Sequence, residues 1–144
     1  MRAVDATTAV DFAGSELNDC KDDGLLTRAI VIRVCSDPEA ARAALTALMA
    51  PSSQTPTLDG AEYPRPRAVI MGAGYPHDVF TSIRDSVDGA TSVPWIRPSN
   101  AKPGAQRGSS PPPAEEIASR LRRTLDEHLE ELQTGKGAGE VWWM

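Results

Sequence analysis

Short apolar runs and helix-spaced apolar stripes alternate along this chain, most clearly between Arg67 and Asp88. An apolar run at Ala68–Met71 stops at a glycine-containing segment, Gly72–Gly74, and a helical pattern begins at about Pro76. A short apolar run bounded by glycine is typical of a buried strand. This part of the sequence therefore predicts the strand, glycine loop and helix of an open α/β sheet.

The same pattern predicts further strands and helices on both sides of this unit. Strands are expected at Leu25–Cys35, Thr91–Ile96 and Glu140–Met144. One helix is expected to begin at Ser36, because Ser36 and Glu39 have the spacing of a capping box. A long helix is expected over Ala114–Thr134, where leucines recur at helical spacing.

The alternation of strands and helices predicts the fold class. It favours a small three-layer α/β domain with a mostly parallel sheet, in a flavodoxin-like or half-Rossmann order. Residues 1–24 are weakly patterned and are expected to form an N-terminal arm with at most one short element, so the single domain is placed at residues 25–144. Two connections are expected to be loops: residues 51–66, with a turn at Asp59-Gly60, and the proline-rich residues 98–113.

Composition narrows the class of protein. The chain has 144 residues and a formal net charge of −5, which disfavours a nucleic acid or an anionic membrane as a partner. Cys20 and Cys35 are too few for a disulfide framework, and both are expected to be free thiols. Neither a membrane span nor a signal-peptide pattern is evident, so a soluble, cytoplasmic protein is expected.

The glycine loop is the first candidate binding site. Its members are Gly72, Ala73, Gly74 and Tyr75. Backbone amides at such a loop, in front of a helix, favour a phosphate or carboxylate group. However, His77 stands where a dinucleotide fingerprint has its third glycine, and a purely structural tight turn is the open alternative.

Two candidate catalytic residues lie near predicted strand ends. His77 falls in the first turn of a helix at the carboxyl end of a strand, where open α/β sheets bind ligands. A neutral His77 is a candidate base, with an exposed helix-cap histidine as the alternative. Cys35 also precedes a helix, so a Cys35–His77 nucleophile pair across neighbouring strands is one hypothesis, and a buried structural thiol is the other.

The third strand end supplies further candidate ligand contacts. Trp95 is a candidate to stack on a ring and Arg97 to clamp an anion beside the glycine loop. Core packing for Trp95 and a surface salt bridge for Arg97 are the alternatives. Trp95, Arg97 and Ser36, which follows the strand expected at Leu25–Cys35, complete the expected site at the carboxyl ends of the strands. The sequence contains no recognisable metal motif, and it does not identify a cofactor.

The second half of the chain also contains several short motifs that together suggest a protein family. These are the strand ending in Gly72–Tyr75, the segment Val93–Pro98, Lys102-Pro103, the proline run 111–113, the long helix and Trp142-Trp143. In these features residues 67–144 resemble small fungal proteins with a Rossmann-like region. The resemblance covers about half of the chain; it implies an α/β fold and no particular activity.

Three functional hypotheses follow. The first is a protein that binds an anionic small molecule, with a nucleotide as one candidate. The second is a small isomerase, lyase or hydrolase of a carbonyl compound that uses His77 with Cys35 or Arg97. The third is an interaction module that forms a homodimer through its C-terminal strand. On that strand at least one of Trp142 and Trp143 is expected to be buried, with one ring against the helix layer and the other against residues 98–113 or a second copy.

Overall fold

The computed structural model describes residues 7–12, 29–51, 55–105, 110 and 112–144. Cys20, residues 25–28 of the first expected strand and part of the proline-rich loop lie outside the described residues. None of the described helices is long and apolar enough to cross a membrane.

The described chain contains seven strands and four α-helices. The strands are β1 (Thr7–Phe12), β2 (Ala29–Cys35), β3 (Thr57–Leu58), β4 (Ala61–Glu62), β5 (Ala68–Met71), β6 (Trp95–Arg97) and β7 (Val141–Trp143). The helices are α1 (Pro38–Leu48), α2 (His77–Ser86), α3 (Ala114–Glu127) and α4 (Leu129–Thr134). The expected α/β class is therefore confirmed at the level of mixed helices and sheet.

The main sheet has five strands in the order β2-β1-β5-β6-β7. Its β5–β6 and β6–β7 ladders are parallel, whereas β1 runs antiparallel to both β2 and β5. The sheet is thus mixed, with a parallel half at β5, β6 and β7. The weakly patterned arm provides β1, and this strand, the described part of the arm, is an inner strand of the main sheet.

Helices cover both faces of the parallel half. Val69, Met71 and Trp95 belong to one core cluster with buried residues of α1 and α2, such as Leu45 and Ile83. The intervening positions face the opposite way, and they join a second cluster that contains residues of α3 and α4. Its members are Ala68, Ile70, Ile96, Leu125, Leu132 and Trp142. This alternation is the period-two pattern of a strand buried on both faces.

Helix α1 begins one residue later than the capping box predicts. The carboxylate of Asp37 accepts a hydrogen bond from the amide of Ala40 at 2.8 Å, so Asp37, and not Ser36, is the N-cap. Pro38 explains the difference, because proline favours the first helical position and places the cap on the residue before it.

The expected long helix is divided at His128. This residue has φ −108° and ψ 17°, and it ends α3 and begins α4. Its ring stacks on the indole of Trp142, with ring centroids 4.0 Å apart and planes 7° apart. The helix therefore breaks where His128 packs against β7, although the apolar residues on both sides of the break keep helical spacing.

Both terminal tryptophans are placed as the sequence predicts. Trp142 is 5% exposed, lies in the cluster with Leu125 and Leu132, and donates from Nε1 to Glu140 at 2.9 Å. The ring of Trp143 lies 5.4 Å from Nζ of Lys102, which belongs to the loop after β6. One ring therefore contacts the helix layer, and the other is near the 98–113 loop.

The turn into β7 makes a direct test of this packing possible. Gly135 and Gly137 have φ of +71° and +80°, but a Cβ on Gly137 would lie 2.7 Å from Cζ2 of Trp142, whereas one on Gly135 would meet nothing within 4 Å. We expect Gly135→Ala to lower the free energy of unfolding by about 1 kcal/mol, the cost of a left-handed alanine. Gly137→Ala should cost about 3 kcal/mol, because the indole must also move. Denaturant unfolding measures both, and equal losses would contradict the packing described here.

Candidate functional site

Three of the strands that carry candidate residues end at one edge of the sheet. Strands β2 and β5 run in the same direction because β1 is antiparallel to each, and β6 is parallel to β5. Thr7 pairs with both Cys35 and Met71, which fixes these two residues at the same edge. Arg97, the last residue of β6, lies at this edge too. The shared carboxyl edge agrees with the prediction.

The order of strands separates Cys35 from the glycine loop. Strand β1 lies between β2 and β5, so Cys35 is two strand spacings, roughly 10 Å, from the end of β5. Cys35 is 5% exposed and packs in the core, whereas His77 is exposed and its ring lies 5.8 Å from that of Phe80. The hypothesis of a Cys35–His77 pair placed these residues after neighbouring strands. That placement is wrong, because β1 lies between β2 and β5. Among the described contacts, none joins these two side chains. Ser36, which follows Cys35, is exposed.

The glycine loop leads directly into the first turn of α2. Gly72 and Ala73 are half-buried, Gly74 is exposed, and Tyr75 is buried in the α1–α2 core cluster. Pro76 is the N-cap, and no side chain caps this end of the helix. The backbone amide of Phe80 bonds to the carbonyl of Pro76 at 3.1 Å. The amides before Phe80 in this turn have no acceptor within the helix, as in any helix start.

Arg97 supports this loop from inside the molecule. Its side chain is 0% exposed, and Nη2 donates to the carbonyl of Tyr75 at 2.8 Å. Its Cζ lies 4.5 Å from the centroid of the Phe80 ring and 5.9 Å from that of Trp143. Arg97 was predicted to clamp a ligand directly, with a surface salt bridge as the alternative. The structure shows neither arrangement, because the side chain is buried and bonds to the loop. The guanidinium is instead a buried positive charge behind the loop and the first turn of α2.

Trp95 lies in the core and not at the candidate site. It is the first residue of β6, is fully buried, and donates from Nε1 to the carbonyl of Ala90 at 2.8 Å. Its ring meets Phe80 edge-to-face at a centroid distance of 5.4 Å. The core alternative for Trp95 is the one observed, so its ring is not open to stack on a ligand in this structure.

Comparisons with known proteins add no assignment. No protein-family model, curated protein or solved structure matches this chain. The site is therefore interpreted from its own geometry. Among the described residues, no group of three or more His, Cys, Asp or Glu side chains is placed to hold a metal ion.

A cleft of about 250 Å³ lies at the opposite edge of the sheet. Its lining comes from the segments before β5 and β6 and from α4 and the turn after it, and includes Pro66, Arg67, Val93, Glu131 and Leu132. Sequence reasoning missed this cleft, because its walls come from three separate segments with no shared motif. Open α/β sheets bind ligands at the carboxyl ends of their strands, which favours the glycine loop as the candidate site.

Proposed function

We propose that this chain binds an anionic small molecule at the loop Gly72–Pro76, with a phosphate-bearing nucleotide as the first candidate. The observation that carries the proposal is the buried guanidinium of Arg97, which bonds to Tyr75 directly behind this loop. The first turn of α2, with no side-chain cap, begins at the same place. The hydrogen bond from Arg97 therefore fixes the loop next to the amide end of α2.

The electrostatics of this arrangement favour an anion. The amides of a helix amino terminus carry about half a positive charge, and a favourable interaction there contributes about 0.3–1 kcal/mol. Arg97 contributes by holding the carbonyl of Tyr75, and with it the loop, in front of these amides. Asp78, exposed in the first turn of α2, opposes the anion. We therefore expect modest affinity for phosphate alone and tighter binding when a ligand also contacts the loop.

The order of strands also favours a binding site at the carboxyl edge of the sheet, beside the glycine loop. Counted along the chain without the small β3–β4 hairpin, the main sheet has the order 2-1-3-4-5. This is the flavodoxin-like order, here with its first strand reversed. We infer a flavodoxin-like architecture modified at β1, and ligands of that architecture bind beside the strand that here precedes the glycine loop. The resemblance of residues 67–144 to small fungal Rossmann-like proteins agrees with an α/β architecture of this kind.

A titration of the full chain tests the proposal. We expect inorganic phosphate, a mononucleotide and a dinucleotide to raise the melting temperature saturably, with at least one nucleotide exceeding phosphate. His77→Glu, which adds a negative charge at the first turn of α2, should weaken that binding by at least about tenfold.

The matched control is Thr91→Glu, which places the same charge on an exposed residue at the opposite edge of the sheet. It should leave binding unchanged. Equal loss in both variants would indicate a nonspecific charge effect. Absence of any saturable shift with the three ligands would remove the proposal.

A further inference from the structure

The connections that follow β5 and β6 leave the sheet on opposite faces. Strand β5 leads into α2, which packs on the face that carries Val69 and Trp95, whereas β6 leads to α3 and α4 on the other face. The two strands are parallel neighbours, so their carboxyl ends lie side by side. Open α/β sheets bind ligands outside the carboxyl ends of their strands, in the crevice at a switch point between connections. The gap between the ends of β5 and β6 is therefore the place into which a ligand of the glycine loop extends.

Trp143 lies beside this gap, on the same face of the sheet as α2. It pairs with Arg97 in the β6–β7 ladder, and Cζ of Arg97 lies 4.5 Å from the ring centroid of Phe80, a residue of α2. The same Cζ lies 5.9 Å from the centroid of the Trp143 ring, and Nη2 of Arg97 donates to the carbonyl of Tyr75 at 2.8 Å. The glycine loop and the indole are therefore neighbours of one guanidinium, within reach of a single small ligand.

The indole of Trp143 is only partly covered by the described residues. Trp143 is half-buried, and the ammonium of Lys102, an exposed residue, lies 5.4 Å from the centroid of its ring. A cation at an exposed site usually gains less from an aromatic ring than a stacked base does. A lysine side chain also has many accessible rotamers, so it moves aside readily. A flat aromatic group brought by a ligand can therefore take the place of this ammonium.

We propose that the base of a bound nucleotide stacks on Trp143 while its phosphate binds at the glycine loop, so that Trp143 selects nucleotides over other phosphate esters. This inference rests on the proposed anion site at Gly72–Pro76 and adds a second point of contact to it. Every base has a π-face, so stacking favours nucleotides as a class without selecting one base. The indole is already held beside Arg97, which reduces the cost of ordering it when the ligand binds.

Calorimetric titration of the full chain with inorganic phosphate, ribose phosphate and adenosine monophosphate provides the test. We expect the nucleotide to bind at least about tenfold more tightly than ribose phosphate, because only the nucleotide has a base to stack. Trp143→Leu keeps an apolar side chain without an aromatic face, so it should reduce this ratio to about threefold or less. The affinities for phosphate and ribose phosphate should stay unchanged. Trp143→Phe keeps a smaller aromatic face and should recover part of the ratio.

Tyr63→Leu is the matched control. Tyr63 is a half-buried aromatic residue next to β4, in the hairpin region that contacts β2 through the ion pair between Asp59 and Arg33. Strand β2 is at the opposite end of the sheet from β7. Tyr63→Leu should therefore bind all three ligands like the wild type, and circular dichroism checks that each variant keeps the native fold.

The three ligands separate failure of this inference from failure of the anion site. A wild type that binds the nucleotide no more tightly than ribose phosphate would overturn the stacking and leave the anion site in place. The same conclusion would follow if Trp143→Leu kept the wild-type ratio, or if Tyr63→Leu lost it equally. A wild type that binds none of the three ligands would overturn both proposals.

Discussion

Replacing Trp142 with alanine is expected to cause one of the largest losses of stability in this protein. The indole is buried between the sheet and α4, stacks on His128 and donates to Glu140. Truncating a buried aromatic residue costs about 3–5 kcal/mol, and we expect Trp142→Ala to lower the free energy of unfolding by this amount. Denaturant unfolding followed by circular dichroism measures the change.

Trp143 provides the control one residue away. Its ring is half-buried and lies near two cations, Arg97 and Lys102. Trp143→Ala should cost about 1 kcal/mol, the usual range for a partly exposed cation–π contact. Similar small losses in both variants would mean that the carboxyl terminus is a dispensable tail, and deletion of Trp142–Met144 would then leave the melting temperature unchanged.

The second large effect is expected at Arg97. Arg97→Ala removes a charged hydrogen bond to Tyr75, removes the contact with Phe80 and leaves a cavity. A hydrogen bond to a charged group contributes about 1.5–3 kcal/mol, so we expect a total loss of about 3–4 kcal/mol of unfolding free energy. The same variant should lose the phosphate-dependent rise in melting temperature.

Two substitutions separate the causes of this loss. Arg97→Met keeps most of the side-chain volume, and Arg97→Lys keeps the charge without the planar fork that holds Tyr75. Lysine should recover part of the phosphate response and methionine none of it. If methionine matched the wild type in both stability and phosphate response, the guanidinium would serve only to fill space.

Local sequence signals predict much of this fold. Ala68–Met71 contains β-branched residues and is apolar at consecutive positions, which is typical of a strand buried on both faces. The turn at Asp59-Gly60 is also predicted from the sequence, because Asp-Gly is favoured in type I′ hairpin turns. Such a turn needs positive φ at both central residues, and both residues have positive φ in the structure. In each case the signal and the structure it predicts lie within a few residues of each other.

Features that depend on distant partners are not predicted. The apolar stripe of α3 continues at helical spacing past His128, so the sequence predicts one helix. The helix breaks at His128, whose ring stacks on Trp142 of another element, β7. Thr7–Phe12 contains too many polar residues to stand out, and its place in the sheet depends on pairing with β2 and β5. The position of Arg97 likewise requires Tyr75 and Phe80 to converge on it, which the strand pattern alone does not contain.

The reversed strand β1 affects how the chain is assembled on the ribosome. Strand β1 can pair with β2 once Cys35 has been made, but its other edge pairs with Ala68–Met71, which is made later. At 5–20 residues per second, the wait is roughly a few seconds, whereas hairpins form in microseconds. During that interval the nascent chain presents an unpaired strand edge, a template for aggregation. Arrival of β5 covers this edge of β1, and the free edge of β5 is covered in turn only when β6 has been made.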